Sequence, residues 1–177
     1  MAARAQWIAV GGILGGIAFA VGAALLLTPD IGLVNPGTRA PDFRALDIAT
    51  GDTIRIADYE GEVVLLNIWA TWCGPCEQEM PSMQRLHDAL ADSGLHIVAV
   101  SVDQGSRQSV EDWIRERNLT FQVLHDPTGR IDRTYQTTGV PESFVINRDG
   151  VIVKKVIGPE EWDAAPSQQL FRRLLGR

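Results

Sequence analysis

The chain has 177 residues, of which 45% are apolar and 21% charged, with a formal net charge of −6. That length carries one domain with a true core rather than two. Mild acidity without a basic patch or stripe argues against a nucleic-acid binder.

The first feature in chain order is the uncharged run from Trp7 to Leu27. At about 1.5 Å of rise per residue, a helix over that run matches a hydrocarbon core of roughly 30 Å. A cleavable signal peptide fits less well. Its apolar part usually spans ~7–15 residues before a small-x-small site, and the Ala-x-Ala match Ala18-Phe19-Ala20 lies inside the run. The run is therefore expected to be an uncleaved transmembrane signal anchor over residues 7–27. Arg4 precedes it and Asp30 follows it. The positive-inside rule then places residues 1–6 in the cytoplasm and the rest on the extracytoplasmic, periplasmic side of a bacterial cell membrane. Gly11, Gly12, Gly15 and Gly16 make small-xxx-small pairs, which the frequency of glycine in membrane helices explains better than a dimer contact. Residues 28–38, rich in proline and glycine, read as a linker to a soluble domain over 39–177.

Within that domain, short alternating runs on either side of Thr50-Gly51-Asp52 predict a hairpin. The nearly continuous apolar run from Glu62 to Trp69 predicts a strand buried on both faces. A helix is expected from about Gly74 to Asp92, and "LHIVAVSVD" is a second buried strand. Ser106 or Ser109 is expected to cap a helix through Arg117, before a short strand in "FQVLHD". "SFVIN" and "VIVKKVI" flank Arg148-Asp149-Gly150, an Asp-Gly hairpin signal. A last helix runs from roughly Ala165 to Leu175, with Leu170, Phe171, Leu174 and Leu175 apolar. Buried strands separated by helices mean an α/β fold with a central mixed β-sheet flanked by helices.

The chemistry sits in "IWATWCGPCEQEMP", which holds the only two cysteines, Cys73 and Cys76. A zinc site needs four ligands, and His87, His96 and His125 lack ligand spacing, so no metal and no cofactor is expected. A Cu(I) site from the pair and a distant histidine suits soft thiolates, but the Gly-Pro filling argues against it. A purely structural disulfide closing so short a loop would stabilise weakly. Redox chemistry fits best. The preceding strand delivers Cys73 to a helix start, where free N–H groups and the dipole stabilise a thiolate. Cys76 lies one turn inside and more shielded. Cys73 is thus expected to attack a partner's disulfide and Cys76 to resolve the mixed disulfide. Pro75 suits the first helical turn.

"NIWATWCGPCEQEMP" resembles the active site of the thioredoxin superfamily and, more narrowly, of the membrane-anchored TlpA/ResA/CcmG-like thiol-disulfide oxidoreductases. "APDFRALDIATGDTIRIADYEGEVVLLNIWATWC" is similar to that group's added N-terminal β-hairpin and first core strand. "TGVPESFVINRDGVIVKKVIG" is similar to its cis-proline segment and last two strands, and "GPEEWD" to the TlpA-like branch. The resemblance covers roughly residues 39 to 177 and implies a thioredoxin-like fold. It further implies that Pro141 is cis against the cysteine pair, with the Val140 peptide groups offered to a docked substrate alongside Trp72, Gly74 and Pro75. It also implies a protein disulfide substrate, such as apocytochrome c or a copper-site assembly protein, and a membrane electron donor of the DsbD/CcdA type. The Gly-Pro spacer resembles the reducing end of the range, so a dedicated reductant is expected.

Two positions depart from ordinary thioredoxin. The acid six residues before the first cysteine is replaced by Asn67, which cannot take a proton. Glu79 lies inside the apolar arc of Met80, Met83, Leu86 and Leu90, where a half-buried carboxyl should have a raised pKa and exchange a proton with Cys76. The rival reading is that a kink at Pro81 turns Glu79 to solvent. Trp72 either borders a docking surface or covers the cysteines, and Trp69 is core. Glu142 reads as a solvated turn residue rather than a partner-selecting one, and Glu77 and Gln78 as an exposed helix face. Three other functions stay open. A peroxiredoxin-type peroxidase would place Pro and Thr/Ser where Leu66 and Ala70 stand; the others are a copper-delivery module and a non-catalytic adaptor.

Overall fold

The computed structural model describes residues 32–176 and the single position Gly16. Apart from Gly16, the expected anchor over 7–27 lies outside the described residues. Among those described, no helix is long and apolar enough to cross a membrane.

One seven-stranded sheet organises the domain. Its strands are β1 (Arg44–Asp47), β2 (Thr53–Arg55), β3 (Val63–Trp69), β4 (Leu95–Ser101), β5 (Gln122–His125), β6 (Glu142–Ile146) and β7 (Ile152–Ile157). Their order across the sheet is β2-β1-β5-β4-β3-β6-β7. Strands β3, β4 and β5 run parallel, so each connection needs a crossover. Helix α1 (Gly74–Leu90) makes the first and α2 (Arg107–Glu116) the second. Strands β6 and β7 form an antiparallel hairpin against β3. The N-terminal hairpin pairs antiparallel with β5 and so lengthens the same sheet. Two further helices, α3 (Arg130–Tyr135) and α4 (Ala165–Leu174), complete the domain.

The central strand explains the arrangement. All seven residues of β3 are buried, as a strand flanked by β4 and β6 and covered on both faces requires. Its single polar member, Asn67, is fully buried; its amide nitrogen finds partners inside the protein, while its Oδ1 accepts no hydrogen bond among the described residues. Helix α1 buries Cys76, Glu79, Met80, Met83, Leu86 and Leu90 along one face. Pro81 sits inside the helix and supplies no N–H to the ladder, yet Glu79 stays on the core side. Ser106 caps α2, accepting from the Ser109 N–H.

Helix α3 has no counterpart in the sequence reading. It is a six-residue segment, too short for a 3.6-residue periodicity to declare itself. The Asp126 carboxylate fixes its start by accepting from the Ile131 N–H at 2.8 Å. Glu142 is a correction. It begins β6 and is fully buried, where the sequence reading had a solvated turn.

The burial pattern predicts that Leu66→Ala costs roughly 3 kcal/mol, read as a lower urea midpoint at constant slope. Leu33→Ala, at a position 69% exposed, should stay within about 0.5 kcal/mol.

Candidate active site

Strand β3 ends at Trp69, and four residues later α1 begins with Cys73 as its N-cap. Cys73 and Cys76 are joined in a disulfide. The Cys76 backbone N–H donates to Cys73 Sγ at 3.2 Å. That contact, with the positive end of the helix dipole, favours negative charge on Cys73 once the bond is reduced. Cys73 is 5% exposed and Cys76 fully buried, so an incoming sulfur can reach only the first. Gly74 and Pro75 are exposed at the helix start. A Cβ on Gly74 would meet nothing within 4 Å, so the fold itself does not demand glycine there.

The loop before Cys73 is held by Asp103. Its carboxylate accepts from the Thr71 N–H at 2.9 Å, the Thr71 hydroxyl at 2.6 Å and the Ser101 hydroxyl at 2.7 Å. Trp72, next in the chain, is 70% exposed; it does not shield the cysteines as a buried cover would. It lines a cleft with Val102, Gln104, Asp132, Thr137 and Val140.

Opposite the disulfide, the Val140–Pro141 peptide bond is cis, and the Val140 carbonyl oxygen lies 3.4 Å from Cys73 Sγ. Glu142 braces this loop. Its carboxylate accepts from the Thr138 N–H at 3.0 Å and faces Lys155 Nζ at 2.8 Å. A buried carboxylate paired in this way fixes the geometry of the segment that carries Val140 and Pro141.

Behind Cys76 lies a polar network inside the core. Glu79 is 1% exposed. Its Oε1 accepts from Asn67 Nδ2 at 2.8 Å, and the same nitrogen donates to Ser143 Oγ at 2.8 Å. Asn67 and Ser143 are direct partners across β3 and β6. Oε2 accepts from the Trp162 indole N–H and the Glu160 backbone N–H, each at 3.2 Å. Burial pushes the Glu79 carboxyl up from 4.5 to about 7. The bonds from Asn67, Trp162 and Glu160 pull it down and only partly offset the burial. A group one helical turn from Cys76, titrating near neutrality, can both take and return a proton.

The structure thus brings together Cys73, Cys76, Glu79, Trp72, Gly74, Pro75, Val140 and Pro141 around one helix start. Sequence reasoning missed Ser143, Trp162 and the bracing roles of Asp103 and Glu142. Asn67 was visible as one polar residue in an apolar strand, but nothing in sequence links Glu79 to a tryptophan 83 positions away. Among the described residues, no group of three or more His, Cys, Asp or Glu is placed to hold a metal ion.

Fold and site together define a thioredoxin-fold protein with a redox-active cysteine pair. Residues 36–155 match the AhpC/TSA family. The chain is 37% identical over 124 residues to the thiol-disulfide oxidoreductase ResA of Bacillus cereus, covering 70% of each protein. To ResA of Oceanobacillus iheyensis it is 41% identical over 125 residues, covering 69% of this chain and 65% of that protein. The crystal structure of a putative thiol:disulfide interchange protein DsbE from Chlorobium tepidum superposes with a TM-score of 0.73 at 32% identity. That match covers 80% of this chain and 99% of the other. The chain belongs to the AhpC/TSA family, among its ResA-like members, and is a protein thiol-disulfide oxidoreductase.

Glu79 makes stability depend on pH in a defined direction. Below about pH 4.5 its carboxyl is protonated whether the chain is folded or not. From there to about 7 the folded chain keeps a proton that the unfolded chain releases, so stability falls as pH rises through this window and is flat above it. The span corresponds to ~3 kcal/mol. Thermal melts of the oxidised protein should show this decline, and Glu79→Gln should lack it.

Proposed function

We propose that this oxidoreductase is a dedicated disulfide reductant anchored in the cell membrane by residues 7–27, with its catalytic domain on the extracytoplasmic side. One observation carries the chemical part: a cysteine pair at the N-terminus of α1, backed one turn on by a buried carboxyl held in hydrogen bonds. In the reduced protein the Cys73 thiolate attacks a substrate disulfide, forming a mixed disulfide and expelling one substrate thiolate. The Cys76 thiol then gives its proton to the Glu79 carboxylate and attacks Cys73 Sγ. This closes the Cys73–Cys76 bond and releases the second substrate thiolate. On re-reduction, a donor thiolate attacks Cys73 Sγ and the leaving Cys76 thiolate recovers the proton from Glu79; a second donor thiolate then attacks the donor sulfur of that mixed disulfide, releasing the Cys73 thiolate and leaving the donor as a disulfide. Two electrons pass to the substrate and the protein ends where it began.

The direction rests on the Gly-Pro spacer and on the compartment. Outside the cytoplasm general oxidants already make disulfides, and a thioredoxin-like spacer belongs to the reducing end of the range. The relatives named thiol-disulfide oxidoreductase ResA and thiol:disulfide interchange protein DsbE support thiol-disulfide exchange as the chemistry. The expected substrates are the cysteine pair of apocytochrome c or cysteines of a copper-site assembly protein, with electrons from a DsbD/CcdA-type membrane carrier. A peroxidase reading has less support, since Leu66 is packed into the centre of β3 and Ala70 offers no hydroxyl to a peroxide.

The test is a trap. With Cys76→Ser, Cys73 should hold its partner as a stable mixed disulfide, identified by mass spectrometry. Capture of a cytochrome or copper-assembly substrate is expected, whereas capture of general secreted proteins alone contradicts the dedicated role. In stopped-flow exchange, Glu79→Gln should slow resolution by about 10²-fold near neutral pH and abolish the rise of that rate with pH.

A further inference from the structure

The segment between β7 and α4, residues 158–164, is tied to one stripe of α1. Trp162 donates its backbone N–H to Ser82 Oγ at 3.0 Å, and that hydroxyl lies 2.8 Å from the Glu79 carbonyl and 3.2 Å from the Glu160 carbonyl. Arg85 pairs with Asp163. Glu79, Ser82 and Arg85 thus recur every three residues on α1, and all three hold the same segment. The Trp162 side chain is fully buried, its ring 6.3 Å from that of Phe171, and its indole N–H points at Glu79 Oε2.

We propose that Trp162 is a positioning residue of the exchange reaction: its indole N–H fixes the Glu79 carboxylate behind Cys76 and stabilises its charged form. The inference rests on the reading of Glu79 as proton partner of Cys76. An indole N–H is a donor and never an acceptor, so it favours the ionised carboxyl over the neutral one. The groups facing Glu79 leave that donor few rivals. From β3, among the described residues, comes the neutral Asn67, whose amide nitrogen also donates to Ser143 on β6. The linking segment adds the Glu160 N–H and, opposing it, the Glu160 carboxylate, whose negative charge favours the neutral Glu79 carboxyl although Lys154 on β7 holds it at 3.2 Å. From α1 comes Cys76. Removing the indole N–H leaves two donors on a buried carboxylate, and the proton is held more tightly.

Two measurements on the full chain test this. In the wild-type protein, the assigned indole N–H resonance of Trp162 should shift with pH with a midpoint near that of Glu79, about 7, and Glu79→Gln should abolish the shift. In exchange kinetics, Trp162→Phe keeps a ring in the core and deletes the donor. It should raise the midpoint of the resolution rate by about one pH unit, with up to about tenfold loss near pH 7 and recovery at higher pH. A merely structural defect would lower the rate equally at all pH values. If Glu79→Gln leaves the pH profile intact, the Glu79 reading itself fails. If Glu79→Gln removes the profile but folded Trp162→Phe leaves its midpoint unmoved, the Trp162 proposal alone fails. Should Trp162→Phe not fold, an indole resonance insensitive to pH overturns the proposal.

Discussion

A carboxyl group buried in the core between a central strand and the active-site helix is the constraint on which the site depends. Taking a carboxylate out of water is costly unless it is hydrogen-bonded or protonated, and Glu79 uses both routes. Its oxygens take three donors from two separate parts of the fold: Asn67 on β3, and the Glu160 backbone and Trp162 indole in the segment after β7. No short segment could supply such a cradle. It exists because β3 lies beside β6, so that Asn67 meets Ser143, and because the segment after β7 returns to α1. The tertiary fold is what turns an ordinary glutamate into a group that titrates near neutrality.

The same topology divides the labour of the two sulfurs. A buried parallel strand feeding a helix puts Cys73 at the N-cap, where the Cys76 N–H and the helix dipole favour a thiolate, and sends Cys76 one turn inward. Proton handling is needed where the sulfur is shielded from water, and that is where Glu79 stands. Asp103 and Glu142 play a quieter part, each a buried carboxylate bracing one of the two loops that meet at the disulfide. The exposed Trp72 lines an open cleft of mixed character, with Val102 and Val140 beside Gln104, Asp132 and Thr137.

Much of this was legible in the chain itself, for physical reasons. The run Val63–Trp69 is apolar because both faces of that strand are covered, and the Asp-Gly turn near Gly150 matches a hairpin whose glycine has φ of 73°. The place of Glu79 on the core face followed from 100° per residue, and Pro81 did not displace it. The misreadings have separate physical causes. Glu142 looked like a turn residue because charge after proline usually means solvent, and only the three-dimensional pairing with Lys155 and Thr138 permits its burial. Trp162 is remote in sequence from everything it serves. Helix α3 is shorter than two turns and leaves no periodic trace.

The central claim is that Glu79 and the cysteine pair share a proton. The most direct measurement follows the Glu79 side-chain carboxyl carbon by NMR across pH in the oxidised and the reduced protein. The account predicts a midpoint near 7 in the disulfide form and a displaced midpoint once Cys76 carries a titrating thiol beside it. A midpoint near 4.5, the ordinary value, unchanged between the two redox states, would contradict it.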